Sequence, residues 1–144
     1  MEGPYKPLVT SDTKVKVSST LDKTVGKKNL TDGNPETCWT SQQGLPQIIH
    51  LVFPEPVRPM RLILTFQGGF VGTQCAIDVA ASASEPVWTT LTHIHPEDVN
   101  RRQVFQLPEG NSPGIQCMKF VMERSSDFFG RITLYELQVE GWTP

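Results

Sequence analysis

No stretch of this chain approaches the roughly 18 uncharged apolar residues of a membrane-spanning helix, and the opening Met1-Glu2-Gly3-Pro4-Tyr5-Lys6-Pro7 lacks the apolar core of a secretory signal. A soluble, unsecreted protein is expected. Cysteine is scarce: Cys38, Cys75 and Cys117 stand singly in apolar segments, without the close pairs that structural zinc uses, so reduced, buried thiols are the simplest reading. Positive charge is also lacking. The net charge of −2 argues against dense phosphate contact with nucleic acid as a main role, and the absence of an evident basic cluster argues against a membrane-surface role. No Gly-x-Ser-x-Gly elbow, phosphate-cradling glycine loop or placed Cys/His pair appears, so no enzyme activity is expected. Repeats, low-complexity tracts and linkers are missing too. At 144 residues the chain reads as one domain, 1–144 with its core at about 13–141, able to bury on the order of 70% of its unfolded surface.

What is present is apolar alternation with period two, interrupted by Gly, Pro, Asn, Asp and Ser, which predicts an antiparallel β protein. Lys14-Val15-Lys16-Val17-Ser18 should be a half-exposed strand with its lysines in solvent. Gln47 to Phe53 should be a central strand ended by Pro54-Glu55-Pro56, and Met60, Leu62, Leu64 and Phe66 should share one core face. Cys75, Ile77 and Val79 alternate with Ala76, Asp78 and Ala80. Further strands are expected around Trp88 and Leu91 and over Val104–Leu107, Ile115–Met122 and Ile132–Val139. Roughly eight short strands suggest a sandwich or jelly roll.

The loop from Asn29 to Ser41 packs two turn signals, Asp32-Gly33 and Asn34-Pro35, against Thr37 and Trp39. Glu136 shares parity with Ile132 and Leu134, so its carboxylate is expected to point toward an apolar layer, where it needs a partner. A calcium ion held by Asp32, Thr37, Glu136 and carbonyls near Asn29 and Asn34 would supply one, since calcium takes six to eight oxygen ligands. The alternative is an Asx turn at Asp32 and an exposed or hydrogen-bonded Glu136. His93 and His95 share a face, but no third ligand has recognisable spacing. His50 reads as a hydrogen-bonded core or edge histidine.

A second candidate is Arg124-Ser125-Ser126-Asp127-Phe128-Phe129-Gly130-Arg131. Arginine and aromatic side chains are frequent at protein-binding hot spots, and adjacent extended residues point oppositely, so one phenylalanine should face the core. Gln67-Gly68-Gly69-Phe70 forms a similar loop that should lie beside it. The partner-binding set is therefore Phe70, Arg124, Asp127, Phe128 and Arg131, against the alternative that both loops only cap the sandwich. For a sugar, His50, Arg61 and Trp88 offer polar and aromatic groups without the spacing of a lectin motif.

With the Asp32-Gly33 to Trp39 loop and the closing Leu134-Tyr135-Glu136-Leu137-Gln138-Val139-Glu140-Gly141 in view, the chain resembles the discoidin, or coagulation factor 5/8 type C, domains over roughly Val15 to Gly141. That resemblance implies an eight-stranded antiparallel jelly roll with a galactose-binding-like architecture, a calcium site at the same loop, and Trp39 in the core. Secreted members usually join the domain ends by a disulfide. Here no cysteine neighbours Val15 or Val139, which favours an intracellular member. The strings Gly26-Lys27-Lys28-Asn29-Leu30, Phe66-Gln67-Gly68-Gly69-Phe70 and Asp127-Phe128-Phe129-Gly130-Arg131 are similar to a small intracellular branch of this family. Membership there implies a nuclear and cytoplasmic protein that binds an orphan nuclear receptor and represses receptor-driven transcription, with a carbohydrate-binding module as the alternative.

Overall fold

The computed structural model describes residues 3–109 and 114–144. Its strands are β1 (Lys6–Pro7), β2 (Lys14–Val17), β3 (Trp39–Thr40), β4 (Gln47–Phe66), β5 (Gly72–Ala80), β6 (Thr89–Ile94), β7 (Arg102–Gln106), β8 (Ile115–Ser125) and β9 (Thr133–Trp142), all paired antiparallel. Two layers result. One carries β1-β9-β4-β7, with β3 also on β9; the other carries β2-β4-β8-β5-β6. This is the jelly-roll sandwich expected. The two-residue strands β1 and β3 are additions, as are two short 3-10 turns at Lys23–Val25 and Lys27–Leu30.

Strand β4 does not end at Pro54-Glu55-Pro56. Its first half pairs with β2 and β8, its second with β7 and β9, and the register slips between Val52 and Val57. Proline lacks an N–H and cannot serve a ladder, but its fixed φ suits extended backbone. The prolines therefore interrupt the pairing with β8, which resumes only at Val57 opposite Ile115, and carry the chain into the other layer.

Between the layers lie Ile49, Leu51 and Phe53 of the first half of β4, Leu62, Leu64 and Phe66 of the second, and facing side chains from β5, β8 and β9, all buried. Each such side chain contributes about 1.5–3 kcal/mol of burial free energy. The parity read for β5 holds, with Cys75, Ile77 and Val79 facing the core. Cys75 and Cys117 are buried and Cys38 is half-buried; all three are free thiols.

The described ends of the chain meet on the outer side of the first layer. Lys6 lies opposite Gly141, the Tyr5 and Trp142 rings meet edge to face at 5.1 Å, and the Arg61 and Arg58 guanidinium groups stand over Tyr5 and Trp142 at 4.8 and 5.6 Å. Arg61 also pairs with Glu140. Aromatic and cation–π contacts hold these strands together where a disulfide is lacking.

Candidate functional site

One end of the sandwich gathers the loops at 42–46, 67–71 and 125–132. The Phe129 carbonyl accepts from the Gly44 amide at 2.8 Å, and the Ser126 amide and hydroxyl bond the Val71 carbonyl and amide, each at 2.9 Å. Asp127 closes the turn: its carbonyl accepts from the Gly130 amide and its carboxylate from the Arg131 amide, both at 3.0 Å. Gly130 has φ +86°, and a Cβ there would sit 3.1 Å from the Gly44 backbone, so glycine is required on both counts.

The expectation that one of the two phenylalanines faces the core is overturned. Phe128 is 93% and Phe129 57% exposed, their rings 5.2 Å apart and nearly perpendicular, with Leu45 43% exposed. The cause is the turn, which removes the extended alternation that would have sent one ring inward. Of the other sequence candidates, Arg124 is exposed at the end of β8, Arg131 is half-buried with its Nε unbonded among the described residues, and Phe70 is half-buried in the adjoining loop. Asp127 acts as a positioning residue for the turn.

At the Asp32 loop, the Thr37 hydroxyl donates to Asp32 Oδ2 at 2.5 Å and lies 3.1 Å from the Asn34 carbonyl, so three oxygens converge. The Thr37 hydroxyl, then the Asn34 amide, hold the Asp32 carboxyl below its usual range. The Asn29 side chain donates to the Thr24 and Cys38 carbonyls and ties the loop to its base. Glu136 departs from expectation. Thr65 lies opposite Glu136 but Phe66 opposite Leu134, so Tyr135 is bulged out and the parity of β9 reverses. Leu137 and Val139 then face the core, while Glu136 is partly exposed, accepts from Thr65 Oγ1 at 3.0 Å and pairs with Arg102 at 3.2 Å. Asp32 and Glu136 nonetheless border the same cleft of about 480 Å³. The loop supplies the oxygen donors a hard cation takes; Thr65 and Arg102 both engage Oε1 of Glu136.

On the outer face of the second layer, His50 and Trp88 meet edge to face at 5.3 Å and Lys119 Nζ lies 4.0 Å over the indole. Arg61, the third sugar candidate, is on the other layer. His50 is half-buried, and its Nε2 is buried without a hydrogen-bond partner among the described residues, contrary to the hydrogen-bonded reading. Burial, then the Lys119 and Lys16 charges, push its imidazole below its usual value. His93 faces Glu123 at 3.8 Å, and the described residues contain no cluster of three or more His, Cys, Asp or Glu able to hold a metal. A feature the sequence reading missed is a groove of about 670 Å³ whose lining includes Lys16, Lys23, Lys27 and Lys28 and no carboxylate. Its signal was available: residues 13–31 hold five lysines and one aspartate.

No protein-family model matches the chain. Its sequence is 40% identical over 137 residues to the nuclear receptor 2C2-associated protein of Danio rerio, covering 93% of this chain and 94% of that one. The chain belongs to the nuclear receptor 2C2-associated protein family. Among solved structures, an F5/8 type C domain from Bacteroides fragilis superposes with a TM-score of 0.79 at 15% identity, covering 99% of both chains. A chitosan-binding module from Paenibacillus gives 0.78 at 18%, covering 94% of this chain and 99% of that one. This member of the nuclear receptor 2C2-associated protein family thus has the discoidin fold. In it Trp39 is a core residue, wholly buried, as the resemblance implied.

Proposed function

We propose that this chain is a non-enzymatic interaction module of the nucleus and cytoplasm that binds nuclear receptor 2C2 and represses receptor-driven transcription through the Phe128-Phe129 end. The observation that carries the surface is two exposed aromatic rings on a turn fixed by hydrogen bonds. Large side chains already held in place lose little conformational freedom on binding, and aromatic anchors flanked by arginine dominate many interfaces. The partner class comes from the family. In capture assays with purified receptor, Phe128→Ser/Phe129→Ser is expected to weaken binding about tenfold or more, roughly 1.4 kcal/mol, with an unchanged melting temperature, and to relieve repression of a receptor-driven reporter. Undiminished capture would remove this end from the interface. Recovery of glycoproteins released by free galactose, instead of receptor, would put the carbohydrate-binding reading first.

For the Asp32 loop the reading is a structural calcium site, supported by the three converging oxygens of Asp32, Asn34 and Thr37. An ion that binds only the folded state stabilises it by about 2.7 kcal/mol at 100 times its Kd. Adding calcium to chelator-treated protein should raise the melting temperature by several degrees, and Asp32→Ala should abolish the difference. Equal melting curves, with no metal found on analysis, would leave Asp32 as a turn former.

A further inference from the structure

The lysine-lined groove is a charged feature outside the surface already described, lined by four lysines and no carboxylate. Residues 13–31 carry five lysines and one aspartate, in a chain whose net charge is −2. The one carboxylate, Asp22, is engaged in capping the first 3-10 turn, accepting from the Thr24 amide at 2.8 Å and from its hydroxyl. Among the described residues, Lys16, Lys23, Lys27 and Lys28 make neither ion pairs nor side-chain hydrogen bonds. Beyond the groove, Lys16 lies opposite His50 and His50 opposite Lys119, which stands over the Trp88 ring and faces Asp78 of β5, so along this row the unpaired positive charge is confined to the groove.

The groove is also tied to the apolar end. The Ser18 and Ser19 hydroxyls donate to Gln47 Oε1 at 2.6 and 2.7 Å, Gln47 Nε2 donates to the Gly44 carbonyl at 2.8 Å, and the Gly44 amide donates to the Phe129 carbonyl. At the surface, the Gln42 side chain donates to the carbonyl of Thr20, which lines the groove, and the Gln42 amide to the Ser19 hydroxyl, so the groove adjoins the 42–46 loop that carries Leu45 and holds Phe129. We infer that the two form one docking surface for an acidic polypeptide segment carrying apolar anchor side chains. Its carboxylates would lie along Lys16, Lys23, Lys27 and Lys28, and its anchors against the phenylalanines. This deepens the protein-interaction reading and rests on it for the apolar half.

The chemistry favours carboxylates over phosphates. The groove has no arginine fork to grip a phosphate bidentately, and its lining interleaves no aromatic ring between the lysines. Lysines act as hydrated point charges, suited to a chain of carboxylates whose positions need not be fixed. Such attraction steers association and is screened by salt.

The test is fluorescence anisotropy with a labelled peptide of about 15 residues, rich in Glu and Asp with interspersed Leu and Phe, against an oligothymidylate of about 20 nucleotides and phosphatidylserine vesicles. The peptide is expected to bind, to lose about tenfold in affinity between roughly 50 and 300 mM salt, and to lose about as much in Lys23→Glu/Lys27→Glu/Lys28→Glu. The triple Lys→Arg variant should retain it, and all variants should melt with the wild type, since these side chains are exposed. No peptide binding, indifference to the triple Glu variant, or tighter binding of the oligonucleotide or vesicles would overturn the inference. Receptor capture separates the two readings. Capture lost in the phenylalanine variant but untouched by the lysine variant fails this inference alone. Peptide binding that needs the lysines, without any receptor capture, fails only the assignment of the receptor.

Discussion

Trp39→Ala should be among the most damaging single changes in the chain, costing about 3–5 kcal/mol. The indole has no solvent exposure, and its Nε1 donates to the Ser19 carbonyl at 3.0 Å. It sits in β3, opposite Leu134 of β9, at the point where the Asp32 loop enters the core. Truncation leaves a cavity and an unpaired carbonyl together. Against a total stability of about 5–15 kcal/mol for a typical domain, the loss should appear as a fall of about 10–20 °C in melting temperature. Trp39→Phe separates the contributions, keeping most of the ring volume while losing the hydrogen bond, at about 1–3 kcal/mol. A Trp39→Ala protein that melts within a few degrees of wild type would show that the loop does not depend on this anchor.

Gly141→Ala should cost about 3 kcal/mol or more, although it adds a single methyl group. An added Cβ would lie 2.1 Å from the Arg58 carbonyl oxygen and 3.1 Å from the Met60 nitrogen. Both are backbone atoms of β4, the strand with which β9 pairs. Glycine within a strand marks close approach of another backbone, and overpacking that side-chain rotation cannot relieve must shift the ladder. The shift would also pull Trp142 from Tyr5 and Arg58. Urea denaturation should show the loss, with Gly26→Ala as control: the nearest atom there is 3.9 Å away, and a change within about 0.5 kcal/mol is expected. Equal midpoints for both variants would mean that the strands separate freely at Gly141.

The main strands were legible because half-buried strands alternate: Lys14–Val17 does so cleanly, and one parity of Gly72–Ala80 and of the second half of β4 is buried even though Ala76 and Ile63 on the other parity are buried as well. Three features were not. A two-residue pairing such as Trp39–Thr40 is too short to have a period. The bulge at Tyr135 arises from the fit between β4 and β9, so simple parity sent Glu136 to the wrong face. The Phe128 and Phe129 rings are both turned outward by the turn in which Asp127 accepts from the Gly130 and Arg131 amides, whereas the local pattern suggested a strand entry. The lysine groove shows the opposite failure. Its charges were in plain view between Lys14 and Lys28, but the net charge of the whole chain concealed them.

Strand β4 has a consequence for how the molecule comes apart. A sandwich whose layers were joined only by loops would allow one sheet to fray while the other stayed intact. Here the same unbroken backbone is a ladder partner of β2 and β8 before Pro54 and of β7 and β9 after Pro56. Extracting the whole strand strips neighbours from both layers. The shared strand therefore couples the two sheets, so that its loss opens both at once. The exposed phenylalanines and Lys23, Lys27 and Lys28 sit on turns outside this shared strand, so a partner can engage them without loosening the scaffold beneath.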